Sequence, residues 1–589
     1  MTYISPVEDI AFALEEIVGI NQLSEQGAYP DYEADLLRPV LEEAGKLATN
    51  VLAPLNAQGD VSGCVLTPDG VLSAPGFKAA YQAFRDGGWM GLSVPTDYGG
   101  QGLPRSLALG VMEMMHGANM AFSLCPMLSF GAIEALLAHG SEHQKQTYLP
   151  KLVSGEWTGT MNLTEPQAGS DVGALKTKAV PSGDGAYALT GQKIYITWGD
   201  HDLADNIIHL VLARLPDAPA GSAGISLFLC PKFLLDENGH PGQRNGVTCI
   251  GLEKKLGIHA SPTCVMEYDG AKAWLIGAPH RGLAAMFTMM NSARLNVGLE
   301  GVGVGEAACQ AALAYAQERK QGRAPGIEGP APILHHADVR RTLITMQAKV
   351  QAARAICLAC GIAADQAQTA GTETDRETAR LREELLTPIA KAWSTDVGVE
   401  TASLGVQIHG GMGFMNETLA AQLYRDARIA PIYEGTNGIQ AIDLAGRKLA
   451  MKDGAAMQNM LEDIQVTIRQ ARETNDPQLG QIADRLSSAC ETLRDCTDWM
   501  RQTMTEDRET GLASATAYLR LAGDVIGGHF LALSALRGRR AGGIRRARAL
   551  ALAGFYAETL LAEAPGRAAG IKEGGAAVLR DSEALFDLS

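Results

Sequence analysis

Apolar positions in the first quarter of the chain recur at steps of three and four residues. One clear stripe comprises Leu37, Val40, Leu41, Ala44, Ala48, Val51 and Leu52, and similar stripes follow Gly76 and Pro104. This period is that of an amphipathic α-helix with one buried face. The pattern therefore predicts that residues 1–156 form a helical N-terminal domain.

The period changes between residues 157 and 277. Short runs rich in β-branched and aromatic residues follow one another there, broken by Gly, Pro, Asp and Asn. The runs are YALTGQKIYITW, NIIHLVLAR, GISLFLC, NGVTCIGL and PTCVMEY. Such runs are typical of β-strands joined by turns. They predict a small antiparallel sheet or barrel as the central domain.

Helical spacing returns at Gly282 and continues toward the end of the chain. Long amphipathic stretches predict a helix bundle over residues 278–450. Residues 451–589 form a further set of helical segments, separated by the polar links NDPQ at 475–478 and EDRETG at 506–511. The expected architecture is multidomain α+β, with a fourth, helical unit at the C-terminus.

Composition narrows the class of protein. The chain has 589 residues, too many for one ordinary hydrophobic core, and its 46% apolar and 20% charged residues are typical of a packed globular enzyme. Its formal net charge of -16 repels nucleic-acid phosphate, so no nucleic-acid partner is expected. Ten cysteines at irregular positions favour a reducing compartment over a disulfide framework.

The N-terminal sequence carries acids within its apolar stretch and lacks the basic start of a targeting segment. No run of about 18 apolar residues, the length that spans a bilayer, stands out along the chain. We therefore expect a cytoplasmic protein with no integral membrane contact.

One carboxylate stands in apolar surroundings in the segment YRDARIAPIYEGTNGIQ, residues 424–440. Glu434 lies between Tyr433 and Gly435, shortly after Pro431. A poorly solvated carboxylate has a raised pKa and is a stronger base, and a glycine beside it lets the backbone approach a ligand closely. Glu434 is therefore a candidate general base. A solvated loop glutamate beside a turn glycine would have the same local pattern.

Two further segments could hold a flavin or a diphosphate. MNLTEPQAGSDVGALKT, from Met161, joins a strand-like run to a Gly/Ser/Asp turn whose backbone N–H groups could bind phosphate. GQKIYITWGD, from Gly191, alternates Lys193, Tyr195 and Thr197 on one strand face, where a ring and a hydroxyl could meet a planar cofactor. Each pattern alone also fits an ordinary loop or an exposed strand face.

Together these segments resemble the acyl-CoA dehydrogenase family. Six family signatures occur in order: GWMGLSVPTDYGGQGLP at Gly88, TEPQAGSD at Thr164, KIYIT at Lys193, ERKQ at Glu318, QIHGGMGF at Gln407 and IYEGT at Ile432. The resemblance implies an N-terminal helical domain, a central β-barrel-like domain and a C-terminal four-helix bundle, here followed by an extra helical domain. It also implies an FAD-dependent enzyme that oxidises an acyl-CoA thioester to the trans-2-enoyl-CoA.

The resemblance assigns the catalytic roles as well. It implies that Glu434 removes the α-proton of the thioester while FAD takes a hydride from the β-carbon, and that the Glu434 backbone N–H and a flavin hydroxyl polarise the thioester carbonyl. Arg294 matches the family arginine near the catalytic carboxylate. The residues implied to contact the acyl-CoA are Ser170, Asn291, Arg294, Tyr433 and Gly435.

The FAD contacts fall into two groups. Those near the flavin and its diphosphate are Leu163, Thr164, Gly169, Ser170, Tyr195 and Thr197, and Thr436 matches a further FAD contact. Arg319, Gln321, Gln407, Gly410 and Gly411 match positions that hold the adenosine diphosphate half of a neighbouring subunit's FAD. The resemblance therefore implies an oligomer, and we expect a homodimer. Gly322 stands where the family usually has Phe, so different adenine packing is expected.

The extra C-terminal domain makes the chain similar to extended family members, which include the very-long-chain enzymes and a bacterial subgroup. Its opening and its ERKQGR variant are similar to those of the subgroup that oxidises 3-(methylthio)propanoyl-CoA in dimethylsulfoniopropionate breakdown. That substrate is expected here, with an electron-transferring flavoprotein as electron acceptor. Plain short-, medium- or long-chain acyl-CoA thioesters are the alternatives.

Two rival functions are compatible with the family fold. An acyl-CoA oxidase would share the base and the flavin but pass electrons to oxygen. A DNA-binding, alkylation-response member is supported only by six arginines between Arg537 and Arg548. Because the chain is acidic overall, a solvated or interface face explains that cluster better.

Two other motifs are expected to be structural. Gly301, Gly303 and Gly305 lack the spacing of a dinucleotide-binding loop and lie in a helical stretch, which favours close helix packing. Cys357 and Cys360 form a CxxC without a second pair, so core cysteines are expected and no metal site is predicted.

Overall fold

The computed structural model describes residues 3–541, 543–580 and 585–586. Its first unit is mainly helical, as predicted. The helices are α1 (Val7–Phe12), α2 (Asn21–Glu25), α3 (Leu37–Leu47), α4 (Ala53–Ser62), α5 (Phe77–Asp86), α6 (Arg105–His139) and α7 (Glu142–Val153). A short hairpin of β1 (Val65–Thr67) and β2 (Gly70–Leu72) follows α4, which the helical period did not predict.

The central unit is a small β-barrel with a core of its own. Its strands are β3 (Trp157–Asn162), β4 (Lys178–Gly183), β5 (Ala186–Thr197), β6 (Asn206–Arg214), β7 (Ile225–Pro231), β10 (Val247–Leu252) and β11 (Thr263–Ile276), with the hairpin β8 (Phe233–Leu235) and β9 (Pro241–Arg244) beside them. The order β11-β5-β4-β6-β7 returns to β11 and closes the barrel, while β10 adds to β11 and β3 to β6.

The barrel differs from the expected antiparallel sheet in two places. β3 runs parallel to β6, and β4 meets β6 in parallel through the single pair Lys178 and Arg214. The remaining ladders are antiparallel. Inward side chains such as Phe228 and Tyr268 fill the barrel and form a hydrophobic cluster separate from the main core.

A β-bulge in β5 corrects the face predicted for its polar residues. Ile196 pairs with Cys264, but Lys193 pairs with Met266, so two β5 residues oppose one residue of β11. The bulge places Tyr195 at φ 61° and leaves the residue 60% exposed. Lys193 is fully buried instead of sharing that face, because the extra residue reverses the alternation of side chains.

The rest of the chain is helical. The bundle contains α8 (Gly282–Glu318), α9 (Ala337–Thr369), α10 (Glu373–His409), α11 (Leu419–Ala427) and α12 (Asn437–Gly446). The last unit contains α13 (Ala455–Glu473), α14 (Pro477–Glu506), α15 (Arg508–Ala541), α16 (Gly543–Glu558) and α17 (Ala564–Arg580). The predicted link NDPQ separates α13 from α14, but only Asp507 of EDRETG lies outside a helix.

Small residues let α8 approach its neighbours closely, as the glycine pattern predicted. A Cβ at Gly301 would lie 2.3 Å from the carbonyl oxygen of Ser394 on α10, and one at Gly303 would lie 2.6 Å from the backbone nitrogen of Gly117 on α6. Cys357 and Cys360 are buried in α9, and no metal-binding group of His, Cys, Asp or Glu occurs among the residues described above.

Two helices in the described part of the chain are long and apolar enough to cross a membrane, contrary to the expectation that no segment would be. They are α6 and the segment Arg508–Arg539 of α15. In the most apolar 18-residue stretch of each helix, 83% and 78% of the residues, respectively, are buried inside the protein. Their apolar side chains therefore belong to the packed core.

Three of the six clustered arginines form an interface within the chain. Arg545 pairs with Glu8 at 2.8 Å, and Arg548 pairs with Asp9 at 3.1 Å, which joins α16 to α1. Arg546 pairs with Asp476 at the start of α14 at 3.4 Å. The side chain of Arg540 lies outside the described residues. These contacts agree with the interface interpretation of the cluster.

Candidate active site

The loop between α11 and α12 carries the predicted base. Glu434 and Gly435 both adopt left-handed backbone conformations, with φ values of 56° and 83°. The backbone N–H of Asn437 closes the loop on the Pro431 carbonyl at 3.0 Å, and the Thr436 hydroxyl caps α12 by accepting the Ile439 N–H at 3.3 Å. A left-handed glutamate is strained, and such strain is often found at functional sites.

Arg294 reaches this loop from α8. Its Nε donates to the backbone carbonyl of Glu434 at 3.3 Å, and its Nη1 donates to the Asn291 side chain at 3.3 Å. Gln440 donates to the same Glu434 carbonyl at 3.4 Å and to that of Gly435 at 3.3 Å. The structure thus brings together the predicted base and the predicted substrate contacts Asn291, Arg294, Tyr433 and Gly435.

The surroundings of Glu434 suit a base at neutral pH. Glu434 is partly exposed, yet desolvation by neighbouring protein atoms raises its pKa to about 7, against the opposing effect of the positive charges of Arg294 and Lys391. A carboxylate with a pKa near the working pH is well matched to accept a proton and release it again.

Two residues beneath this loop were not predicted from the sequence. Glu300, fully buried on α8, accepts a hydrogen bond from the Tyr433 hydroxyl. Lys391, fully buried on α10, donates to the Asn437 side chain at 3.0 Å. A polar residue inside an apolar helical stretch is the signal that could have identified Glu300 and Lys391.

The flavin-side residues gather at one end of the barrel. Thr164 follows β3, and its carbonyl accepts the Ile194 N–H at 2.9 Å, so the end of β3 lies against β5 near Tyr195. Gly169 and Ser170 are exposed on the following turn. Leu163, Thr164 and Thr197 are partly buried at the rim.

A buried ion pair fixes this turn. Lys193 donates to Glu165 at 2.8 Å and to the Leu163 carbonyl at 2.9 Å. Glu165 also accepts the Thr177 hydroxyl at 2.6 Å. Although burial opposes it, the Lys193 ammonium lowers the pKa of Glu165 to about 2. Both residues stand in the family signatures, but their pairing depends on the β5 bulge, which the sequence pattern did not reveal.

A contact joins the helix before the catalytic loop to the barrel. Asp426, at the end of α11, accepts the Ile258 N–H at 2.5 Å from the segment that leads into β11. β11 begins at Thr263, which pairs with Thr197 of β5. This contact docks the helix before Glu434 beside the end of the strand that carries Thr197.

The second group of predicted FAD contacts lies far from Glu434. The ends of α8 and α10 are joined by the stacked rings of Tyr315 and His409, whose centroids are 4.5 Å apart. The predicted contacts at that end are all exposed: Arg319, Gln321, Gln407, Gly410 and Gly411. At 1.5 Å per residue, Arg294 and Arg319 are about 37 Å apart along α8. One chain therefore presents two separate groups of predicted FAD contacts.

Both groups fit an extended cofactor with a planar ring and a diphosphate. Tyr195 is largely exposed at the rim, and the segments that meet there also carry the hydroxyls of Thr164, Ser170 and Thr197. No protein atom lies within 4 Å of a Cβ built at Gly169, Gly410 or Gly411, so a ligand can approach the backbone there.

Comparison with known proteins identifies the class. The chain matches, in order, the acyl-CoA dehydrogenase N-terminal domain over residues 38–156, the middle domain over 160–271 and the C-terminal domain over 280–450. Residues 460–580 match the acetyl-CoA dehydrogenase C-terminal-like domain. The chain belongs to the acyl-CoA dehydrogenase family and is an FAD-dependent acyl-CoA dehydrogenase.

Two curated relatives are similar over most of the chain. A 3-methylmercaptopropionyl-CoA dehydrogenase of Ruegeria pomeroyi is 46% identical over 540 residues, which cover 91% of each protein. A butyryl-CoA dehydrogenase of Syntrophomonas wolfei is 38% identical over 477 residues, which cover 78% of each protein. These identities support the family assignment made from the six signatures.

Solved structures confirm the fold, including the extra domain. ACDH-11 of Caenorhabditis elegans, in complex with C11-CoA, aligns with a TM-score of 0.80 and 20% identity over 95% of this chain and 92% of that one. An acyl-CoA dehydrogenase of Bacillus anthracis complexed with FAD aligns with a TM-score of 0.74 and 22% identity over 95% and 91%. The predicted fold class is therefore correct.

Proposed function

We propose that Glu434 is the base that removes the α-proton of the acyl-CoA thioester. The observation that carries this proposal is the raised pKa of about 7 of a carboxylate held on a left-handed loop beside Arg294. The proton passes from the α-carbon to a carboxylate oxygen of Glu434, and the Cα=Cβ double bond forms as a hydride leaves the β-carbon. When bound, FAD supplies the acceptor for that hydride.

The protein assists proton removal through the backbone of the same loop. In this proposal the Glu434 N–H donates to the thioester carbonyl and stabilises the negative charge that develops on its oxygen. Arg294 and Gln440 hold the Glu434 carbonyl on the other side of the residue, so the position of the N–H is fixed before substrate binds. Preorganised donors of this kind need little rearrangement during the reaction.

We propose 3-(methylthio)propanoyl-CoA as the substrate and 3-(methylthio)acryloyl-CoA as the product. Support comes from the Ruegeria pomeroyi relative, since 3-methylmercaptopropionyl-CoA is the same thioester and the identity extends over 91% of the chain. A thioether is close in shape to an unbranched chain and is readily accommodated by apolar walls. A short-chain acyl-CoA such as butanoyl-CoA is the second candidate, favoured by the Syntrophomonas wolfei relative.

Anaerobic mixing with a panel of acyl-CoA thioesters tests this proposal, with flavin absorbance as the readout. 3-(Methylthio)propanoyl-CoA should reduce the flavin at least as efficiently as butanoyl-CoA, and thioesters of about sixteen carbons should be poorer because of pocket size. A preference for the long chains would assign the enzyme to the very-long-chain group. Comparing oxygen with an electron-transferring flavoprotein as acceptor separates a dehydrogenase from an oxidase.

We also propose a cytoplasmic homodimer that passes its electrons to an electron-transferring flavoprotein. The separation of about 37 Å along α8 between Arg294 and Arg319 supports a shared site, because one helix then serves two cofactors. The DNA-binding alternative loses part of its support, because three of the six arginines, Arg545, Arg546 and Arg548, pair with acidic residues of this chain. A salt-dependent DNA-binding assay would test that alternative directly.

A further inference from the structure

Packing alone does not require an ionisable side chain at the position of Glu300. It is fully buried on α8. One oxygen accepts the Tyr433 hydroxyl, and the other has no hydrogen-bond partner among the residues that the structure describes. An amide at this position would accept the same hydrogen bond without the cost of burying a carboxyl group that can ionise.

The place of Glu300 links it to the catalytic loop. Tyr433 directly precedes Glu434, so a carboxyl that fixes the phenol also restrains the backbone that carries the base. Arg294, on the same face of the loop, leaves α8 about 9 Å before Glu300 along the helix axis. The two α8 residues therefore hold the loop at two points, Arg294 through the Glu434 carbonyl and Glu300 through the Tyr433 side chain.

We propose that Glu300 is a positioning residue for the dehydrogenation, which holds the Tyr433 hydroxyl, aims the Glu434 loop and couples its own ionisation to that of Glu434. The inference rests on the proposed role of Glu434 as the base. Two carboxyl groups so placed share their titration, because ionisation of one makes the other a stronger base.

The electrostatics agree with this arrangement. Burial raises the pKa of Glu300 to about 8, and the negative charge of Glu434 adds to this rise. The hydrogen bond from Tyr433 and the positive charge of Lys391 oppose it. Burial and the negative charge of Glu300 keep the pKa of Tyr433 well above its usual range, so the phenol stays a donor. Lys391 faces the two carboxyl groups from α10, and its pKa is lowered to about 8 by burial.

The coupling has a definite sign. As the pH rises through about 7, Glu434 loses its proton and becomes competent as a base. As it rises through about 8, Glu300 ionises, and its negative charge raises the proton affinity of Glu434. The rate of flavin reduction should therefore increase in two steps in the wild-type enzyme, and the apparent pKa values belong to the pair.

A comparison of Glu300→Gln with Glu300→Leu tests the proposal. Glu300→Leu removes the acceptor for Tyr433 and should slow flavin reduction by about 10-fold to 100-fold, the effect expected of a misplaced catalytic group. Glu300→Gln keeps an acceptor and should recover most of the lost rate, but its pH profile should have a single step.

Tyr433→Phe removes the hydroxyl that Glu300 holds and should slow reduction as Glu300→Leu does. Glu306→Gln, a control on the same helix whose partner is Arg354, should keep the two-step profile.

A second readout does not depend on turnover. In the FAD-bound enzyme without substrate, the infrared band of protonated carboxyl groups should lose one component in Glu300→Gln, and the remaining Glu434 component should titrate in one step. Identical pH profiles and infrared titrations in wild type and Glu300→Gln would overturn the inference, whether or not Glu300→Leu folds. Flavin reduction that survives Glu434→Gln would instead overturn the proposed base, so the two failures are distinct.

Discussion

Arg294 donates from Nε to the backbone carbonyl of Glu434 at 3.3 Å, and its positive charge lowers the pKa of the same residue's carboxyl group. One guanidinium thus fixes the loop and moderates the effect of desolvation on the proposed base. Because both effects come from a single side chain of α8, the position of the loop and the basicity of Glu434 are set together.

Replacing Arg294 with Met should remove both effects, and the pH dependence of the reaction reports the electrostatic one. Without the guanidinium the pKa of Glu434 should rise above about 7, by about one unit or more, as expected when an opposite charge is removed. The lower of the two pH midpoints of flavin reduction should move upward, and reduction at pH 7 should slow. Stopped-flow measurements across pH check this. Arg281→Met, at the exposed start of α8, is the matched control, and an unmoved midpoint in Arg294→Met would contradict the assignment.

Glu434→Gln keeps the volume of the side chain and removes the carboxylate. FAD should still bind, because its proposed anchors are unchanged, and acyl-CoA should bind without bleaching the flavin. The rate of reduction should fall by about 10²-fold to 10⁴-fold or more, the usual contribution of a positioned general base. Near-normal reduction, followed by anaerobic absorbance, would mean that another residue accepts the proton.

Breaking the buried pair at the barrel rim should destabilise the protein. Lys193→Met leaves Glu165 as an unpaired buried charge, which lowers the free energy of unfolding by about 3–5 kcal/mol. Adding Glu165→Gln to this variant should recover part of that loss. The control Lys151→Met breaks a partly exposed pair with Glu156 and should lower the free energy of unfolding by less than about 1 kcal/mol. Urea unfolding measures all three.

The same pair predicts a loss of stability in acid. The pKa of Glu165 is lowered to about 2 in the folded protein, so its stabilising contribution is complete above the ordinary glutamate pKa of about 4.3 and disappears as the pH falls toward about 2. Glu165→Gln should lack this part of the acid dependence. Equal acid dependence in wild type and Glu165→Gln would show that the pair does not contribute in this way.

The sequence predicted the order of the units and the local features of the catalytic loop, because helical and strand periods and short signatures are local. It did not place Lys193, because one bulged residue in β5 reverses which side chains face inward. It also missed Glu300 and Lys391, which come from two helices distant in sequence and meet only where those helices pack under Tyr433. Contacts of that kind depend on tertiary packing, which periodicity alone does not specify.

Complementation between subunits tests the proposed shared active site. Arg319→Glu should weaken FAD binding at the partner's site, and Glu434→Gln should inactivate the site on its own chain. Neither homodimer should then be active. A heterodimer of the two has one complete site, with the base from the Arg319→Glu chain and the cofactor anchor from the other chain. If the variants assemble at random when co-expressed in equal amounts, half of the dimers are mixed and the preparation should regain about a quarter of wild-type activity.

The control is Arg323→Glu, an exposed arginine of the same segment that lies outside the proposed FAD contacts. It should retain FAD as a homodimer. Separately purified variants mixed without subunit exchange should stay inactive, which rules out a contribution from free cofactor. If co-expression restores no activity although mixed dimers are present, the residues at the far end of α8 do not serve the partner's site. If Arg319→Glu alone keeps its FAD and its activity, the predicted contact is wrong even though the enzyme is a dimer.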